Sequence, residues 1–184
     1  MAKTGTTKFA ILGILLSGPQ SGYEIAKFCR EVLSSFWSES YGQIYPKLKE
    51  LVDEGLVKKK DVAESKRKKS VYTITAKGKK AVAAWAAEPA ATQPVRNELL
   101  LKVFFGSELA PEISRQQLQH ALIRQQHALR NLKSIEQGIL DSEEDITERQ
   151  KRHACITVRL GIHIMQARIK WAKESLASLN APYD

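Results

Sequence analysis

Gln43, Tyr41, Tyr45, Lys47 and Lys49 crowd into one short segment that also carries Ile44, Leu48 and Leu51 at helical spacing. Amide, phenol and ammonium groups on one helix do no covalent chemistry by themselves. They are the groups that read and hold DNA: glutamine pairs with adenine N6 and N7, lysine with guanine or phosphate, and tyrosine hydroxyls with phosphate. With Ile44, Leu48 and Leu51 turned inward, helix phase points Gln43, Pro46 and Lys47 outward, with Gly42 and Lys49 beside them. Gly42 removes a side chain where such a helix would approach DNA most closely. Glu50, Asp53 and Glu54 fall in the later turns, which leave a groove.

The next residues supply the other half of a DNA grip. Gly55 is the residue type that ends a helix in the left-handed conformation. Leu56 to Val62 and Ser70 to Thr75 are rich in β-branched and aromatic residues and flank a charged stretch, so they predict a hairpin with a mobile tip from Ala63 to Lys69. Lys66, Arg67, Lys68 and Lys69 at that tip would follow a phosphate strand or enter the minor groove. An isolated run of this kind is more often a solvated loop; its place directly after a candidate recognition helix favours DNA. Helix followed by basic hairpin is the order of parts in a winged helix.

Elements upstream must hold that helix. Phe9 to Leu16 predicts a buried first helix stopped by Ser17, Gly18 and Pro19. Ser21 and Glu24 have capping-box spacing, so a second helix starts at Ser21, with Ile25, Phe28, Cys29, Val32 and Leu33 as its buried stripe. That helix crosses the phosphate backbone in a helix-turn-helix, which places Ser21 and Tyr23 among the DNA-binding residues. Ser40 and Gln43 repeat the capping box before the third helix. Pro46 fits an unbroken helix badly: either the helix bends there or its regular part starts near Tyr45.

Downstream, Thr75 is placed to cap a fourth helix reaching about Ala87, and Pro89, Thr92 and Pro94 mark a break. From Asn97 the pattern is helical throughout. A short helix over about 97–106 precedes a long one capped by Ser114, with Leu118, Leu122, Leu129, Leu132, Ile135 and Ile139 apolar. A second long helix over about 143–179 carries Ile146, Val158, Met165, Ile169, Ala172, Leu176 and Leu179. Two such helices cannot hide their stripes alone; they need the first domain, each other, or a second chain. The expected fold is mainly α: a winged helix-turn-helix domain with a two-stranded wing over 1–90, then an α-helical dimerisation and effector-sensing domain over 91–184.

Charge agrees with that division. Of 29 Lys and Arg and 20 Asp and Glu, residues 1–90 hold 16 and 9, so the first half is the part suited to a polyanion. No Gly-rich phosphate loop, GxSxG or HExxH occurs, and the histidines lack carboxylates at fixed spacing. An enzyme, a metal site and a cofactor are therefore not expected. Cys29 and Cys155 fit neither a CxxC pair nor a disulfide framework and point to the reducing cytoplasm. The apolar run after Lys3 and Lys8 is too short to span a membrane and lacks a signal-cleavage pattern.

Four motifs carry a resemblance to a known family. Leu12-Gly13-Ile14-Leu15 leading to Gly22-Tyr23-Glu24-Ile25, Gly42-Gln43-Ile44-Tyr45-Pro46 with Leu48, Leu51 with Gly55-Leu56-Val57, and Tyr72, Ile74, Thr75 and Gly78 together resemble the PadR-type transcriptional regulators. Glu98 to Phe105 and the long helices resemble the C-terminal domain of the family's longer, Vir-type subgroup. The resemblance implies a homodimeric winged-helix regulator, usually a repressor, on an inverted repeat that often has ATGT and ACAT ends. It also implies release of DNA when a small aromatic compound, a drug or another signal is sensed. By motif position the family's DNA contacts fall on Tyr41, Gln43, Tyr45 and Lys49, with the wing at Lys66 to Lys69. Ligand residues do not carry over. By side-chain type, Phe36, Trp37, Trp85 and Trp171 are the flat apolar surfaces an aromatic ligand would meet, and a site between the two domains is the expected pocket; core packing is the competing account of each. The reading from another class is a winged-helix protein-interaction module that does not bind DNA.

Overall fold

Local signals in the chain account for most of the first unit. The computed structural model describes residues 5–34, 36–37, 41–64, 67–92, 96–142 and 146–179, with the backbone alone at Tyr41, Ala63, Glu64, Arg67, Lys68, Lys69 and Pro111. The chain divides into two compact units, Met1–Thr92 and Gln93–Asp184.

In the first unit α1 (Thr7–Ile14) runs into a tight 3-10 turn, Leu15–Ser17, which Gly18 ends at a φ of 134°. β1 (Gln20–Ser21) leads directly into α2 (Gly22–Phe28). The capping box forms as its spacing predicts: the Glu24 amide donates to the Ser21 hydroxyl at 3.2 Å, and the Ser21 amide donates to the Glu24 carboxylate at 2.7 Å. Beyond Phe28 the backbone widens into a π-turn over Cys29–Leu33. That turn inserts a residue into the helical repeat and rotates the residues beyond it. Ile25, Ala26 and Cys29 are buried, but Phe28 and Val32, expected in the same stripe, are 40% and 51% exposed.

α3 spans Tyr41–Asp53 with Pro46 inside it. The helix is continuous through the proline, five residues after its start; the hydrogen bond deleted is the one to the Gly42 carbonyl, and both residues are exposed. The expected Ser40 cap lies outside the described residues. At the other end Gly55 takes a φ of 69°, its amide donates to the Val52 carbonyl at 3.0 Å, and the Leu56 amide donates to the Leu51 carbonyl at 2.9 Å. Both bonds are those of a Schellman cap, with Leu51 and Leu56 in the core as its apolar contact.

β2 (Val57–Glu64) and β3 (Arg67–Ile74) pair antiparallel from Val57 opposite Ile74 to Glu64 opposite Arg67. The hairpin is thus longer than expected: Arg67, Lys68 and Lys69 belong to β3, and only residues 65 and 66 lie between the strands. Ladder bonding outlasts the apolar pattern from which the strand ends were inferred. A third strand also joins, since Gln20 pairs with Tyr72 and Ser21 with Val71, giving the order β1-β3-β2. α4 (Ala76–Ala87) is capped by Thr75, whose hydroxyl accepts from the Gly78 amide at 3.0 Å. Ile11, Leu12, Leu15, Ile25, Ile44, Leu48, Leu51 and Val57 form the center of the core.

The second unit is helical. α5 (Glu98–Phe104) is capped by Asn97 and followed by a 3-10 turn, Phe105–Glu108. Lys102 donates to Glu98 at 2.7 Å and holds that carboxyl below its ordinary range. α6 (Pro111–Leu140) starts three residues before the expected Ser114 cap, because Pro111 already has the φ that a first helical position needs. Ser114 is instead buried, with its hydroxyl close over Gly106. α7 (Glu148–Ser178) begins with a full capping box from Thr147 and Gln150. Leu132 packs with Val158 and Ile162, while Ala121 and Ala172 line one cavity, so α6 and α7 run antiparallel. Arg159 and Glu136 pair across them at 2.5 Å, which raises the guanidinium pKa further. Ile135, expected in the buried stripe, is 42% exposed.

Gly78 has no room for a side chain: a Cβ there would lie 2.3 Å from the Leu56 carbonyl oxygen, which belongs to backbone. Gly78→Ala is therefore expected to destabilise the protein by about 1–3 kcal/mol, read as a lower denaturation midpoint.

Candidate nucleic-acid interface

Three buried side chains decide what α3 shows to the outside. Ile44, Leu48 and Leu51 are at most 1% exposed, and each buried apolar side chain of this size is worth about 1.5–3 kcal/mol. The opposite face then presents Gly42, Gln43, Pro46 and Lys49, all exposed. Lys47 departs from the expectation. It stands four residues before Leu51, on the flank of the buried stripe, so its stem is largely covered and its ammonium pairs with Glu50.

Tyr45 is half-exposed, and its ring lies against Gly22: a Cβ on Gly22 would meet Tyr45 Cε1 at 2.7 Å. The start of α2 thereby touches the recognition helix through a glycine. Tyr23, in the first turn of α2, is 58% exposed and available to a phosphate. Ser21 is not. It is buried, and its hydroxyl both accepts from the Glu24 amide and donates to the Glu24 carboxylate at 2.7 Å. Ser21 therefore positions α2 and has no free hydroxyl for DNA. The Tyr41 side chain, Lys66, and the side chains of Arg67, Lys68 and Lys69 lie outside the described residues.

The C-terminal end of α3 is tied to the next helix. Thr75 Oγ1 donates to the Gly55 and Leu56 carbonyls at 2.9 and 3.1 Å, and Lys77 Nζ donates to the Glu54 carbonyl at 2.8 Å. These bonds fall on the carbonyls of Glu54, Gly55 and Leu56, just beyond the last turn of α3. They also fix the angle at which the wing departs. On that wing Lys58, Lys59 and Lys60 are consecutive and exposed in β2, with Lys59 paired to Asp61 at 3.3 Å. Their run is plain in the sequence, but the apolar residues around it mark it only as strand, not as part of the wing's basic face.

The aromatic effector candidates separate. Phe36, Trp37 and Trp85 line one cavity of the first unit, about 300 Å³ in volume. Trp171 lines another, about 960 Å³, in the second unit, together with Arg96, Lys102, Arg124 and Arg168.

A buried three-residue stripe beneath an exposed glutamine and lysine, a Schellman turn and a lysine-bearing hairpin define a winged helix of the DNA-reading type. The chain belongs to the PadR-like family of transcriptional regulators. Residues 11–84 match the family described as "Transcriptional regulator PadR-like family", and residues 95–180 the one described as "Virulence activator alpha C-term". The negative transcriptional regulator PadR of Bacillus subtilis (strain 168) is 33% identical over 142 residues, 76% of this chain and 78% of its own. The crystal structure of Bacillus subtilis PadR in complex with operator DNA matches with a TM-score of 0.85 at 27% identity, over 95% of this chain and 98% of that one. The structure of the same regulator with p-coumaric acid matches with a TM-score of 0.82 at 26% identity, over 99% of each chain. Regulators of this family are not enzymes. Among the described residues no helix is long and apolar enough to cross a membrane.

If Ser21 is a cap, Ser21→Ala should lower stability by about 1 kcal/mol and leave base preference unchanged. An altered base preference with unchanged stability would show that the hydroxyl touches DNA.

Proposed function

We propose that this chain is a homodimeric, cytoplasmic repressor of transcription that grips a near-palindromic operator through α3 and the wing, and releases it when a small aromatic compound binds. The observation that carries this reading is the outer face of α3, where Gln43 and Lys49 stand exposed over a fully buried stripe. Gln43 reads a base edge in the major groove, and Lys49, Tyr41 and Tyr45 hold phosphates beside it, with Gly42 allowing close approach. Lys58, Lys60 and the stretch from Lys66 to Lys69 neutralise the backbone along the wing, and Tyr23 does so at the start of α2. Lys47, paired with Glu50, contributes through charge rather than by base contact. The relatives described as a negative regulator, and as bound to operator DNA and to p-coumaric acid, support repression and an aromatic signal.

The exposed face of α7 supports dimerisation. Ile156, Leu160 and Ile164 recur every four residues and are 60%, 63% and 38% exposed, so this stripe is separate from the Cys155, Val158 and Ile162 stripe that α6 covers. A second copy would bury it, and a twofold dimer sets two recognition helices about one DNA turn apart.

Three outcomes are expected. Fluorescence anisotropy with the DNA upstream of the protein's own gene should show affinity falling on the order of 10³-fold between 50 and 200 mM salt. Lys58→Ala with Lys60→Ala should weaken all sequences alike, whereas Gln43→Ala should relax preference at one base pair. Salt-independent binding, or none, would favour a protein-interaction module instead. In light scattering the protein should be a dimer at micromolar concentration and Leu160→Asp a monomer; a monomeric parent protein would remove the dimer from the account.

A further inference from the structure

One carboxylate stands among the cations of the wing, and a serine is seated on it. Ser70 lies in β3 directly opposite Asp61 in β2, and its hydroxyl donates to the Asp61 carboxylate at 2.7 Å. The same carboxylate oxygen pairs with Lys59 at 3.3 Å. A grip on phosphate accounts for the lysines, but a carboxylate in their midst works against that grip.

The sequence around Ser70 is an independent observation. Arg67, Lys68 and Lys69 stand immediately before it and Val71 immediately after, and no other serine or threonine of the chain has arginine three residues before it. Cations ahead of a hydroxyl are what the acidic cleft of a basophilic serine kinase pairs with. The segment is already extended, and Ser70 is only half-buried. β1 reaches β3 at Tyr72 and Val71 and no further, so from Ser70 to the tip the sheet is a two-stranded ribbon. Such a ribbon is marginally stable, and its opening presents 67–71 as a single extended strand at low cost.

We propose that Ser70 is the acceptor for a basophilic serine kinase, and that its phosphorylation loosens the hold of the wing on DNA. The effect on DNA rests on the regulator reading above. The kinase supplies the γ-phosphoryl group of a nucleoside triphosphate: Ser70 Oγ forms the new P–O bond, the bond to the diphosphate breaks, and the hydroxyl proton leaves to a base of the kinase. The phosphate adds about −1.5 to −2 charges. Its oxygens then stand against the Asp61 carboxylate, where a hydroxyl donated before, so an attraction between the strands becomes a repulsion. The lysines of the hairpin also gain an anion of their own chain, so DNA binding releases fewer counterions. DNA lying along the wing covers the same serine, which makes modification and DNA binding compete.

The test treats the full chain with a purified serine kinase that requires arginine three residues before its target, and reads the product by mass spectrometry. One phosphate per chain on Ser70 is expected, none in Ser70→Ala, and slow incorporation in Arg67→Gln. In fluorescence anisotropy the modified protein should bind the DNA upstream of its own gene about tenfold or more weakly, with a shallower dependence on salt. Unmodified Ser70→Ala should stay within about threefold of the parent protein, because it loses one hydrogen bond and gains no charge. Saturating DNA should slow the modification of the parent protein. Phosphate on other residues only, no incorporation, or undiminished DNA affinity of the protein modified at Ser70 would each overturn the proposal. In the last case the DNA-binding regulator still stands. Absent DNA binding by the unmodified protein would instead defeat that reading, and with it the effect on DNA, while the mass spectrum alone decides the acceptor.

Discussion

Everything that faces DNA in this protein depends on burying Ile44, Leu48 and Leu51 beneath α3. Their positions leave the helix no freedom to rotate, because turning it by one residue would expose leucines and bury Lys49 or Gln43. The same constraint explains why Pro46 is tolerated. It sits on the open side with Gly42, where the lost hydrogen bond leaves a carbonyl near water instead of in the core. At the far end the Schellman turn at Gly55 closes the Leu51 and Val52 carbonyls, the Thr75 hydroxyl ties down the Gly55 and Leu56 carbonyls beyond it, and Gly78 lets the start of α4 press against Leu56. Helix, wing and fourth helix are thus one jointed piece.

The second unit obeys a different constraint. Its two long helices bury one seam against each other, around Leu132, Val158 and Ile162, and leave a second stripe on α7 open. A helix that is apolar on two sides can take two partners. For a winged-helix protein a second copy on that stripe, as proposed, would have functional weight, since base readout by one short helix is weak, and pairing two such helices on a symmetric site multiplies both affinity and specificity.

Much of this was legible in the residues because caps are local. Ser21 with Glu24, Thr75 before Gly78 and Gly55 after Asp53 each announce an element boundary through hydrogen bonds that need no knowledge of the fold. The parts that were not legible depended on the backbone between signals. The π-turn after Phe28 shifts the phase of Val32, and nothing in residue type announces it. Ser114 looked like a cap until Pro111 started the helix earlier, and β2 and β3 continued past their apolar residues because pairing sustains polar strands. Lys47 shows the limit most clearly: chosen for its charge, it lies on the flank of the stripe it was meant to oppose. The exposed stripe of α7 was not legible at all: Ile156, Leu160 and Ile164 fall outside the single stripe expected there, and residue type does not say which apolar face a neighbour covers.

Operator recognition as proposed takes two copies of α3 on a symmetric site. Hydroxyl-radical footprinting of the DNA upstream of the protein's own gene tests this most directly. Two protected patches related by a dyad, with centers about one helical turn apart, are predicted. A single asymmetric patch, or protection that spreads along the DNA without limit, would contradict it.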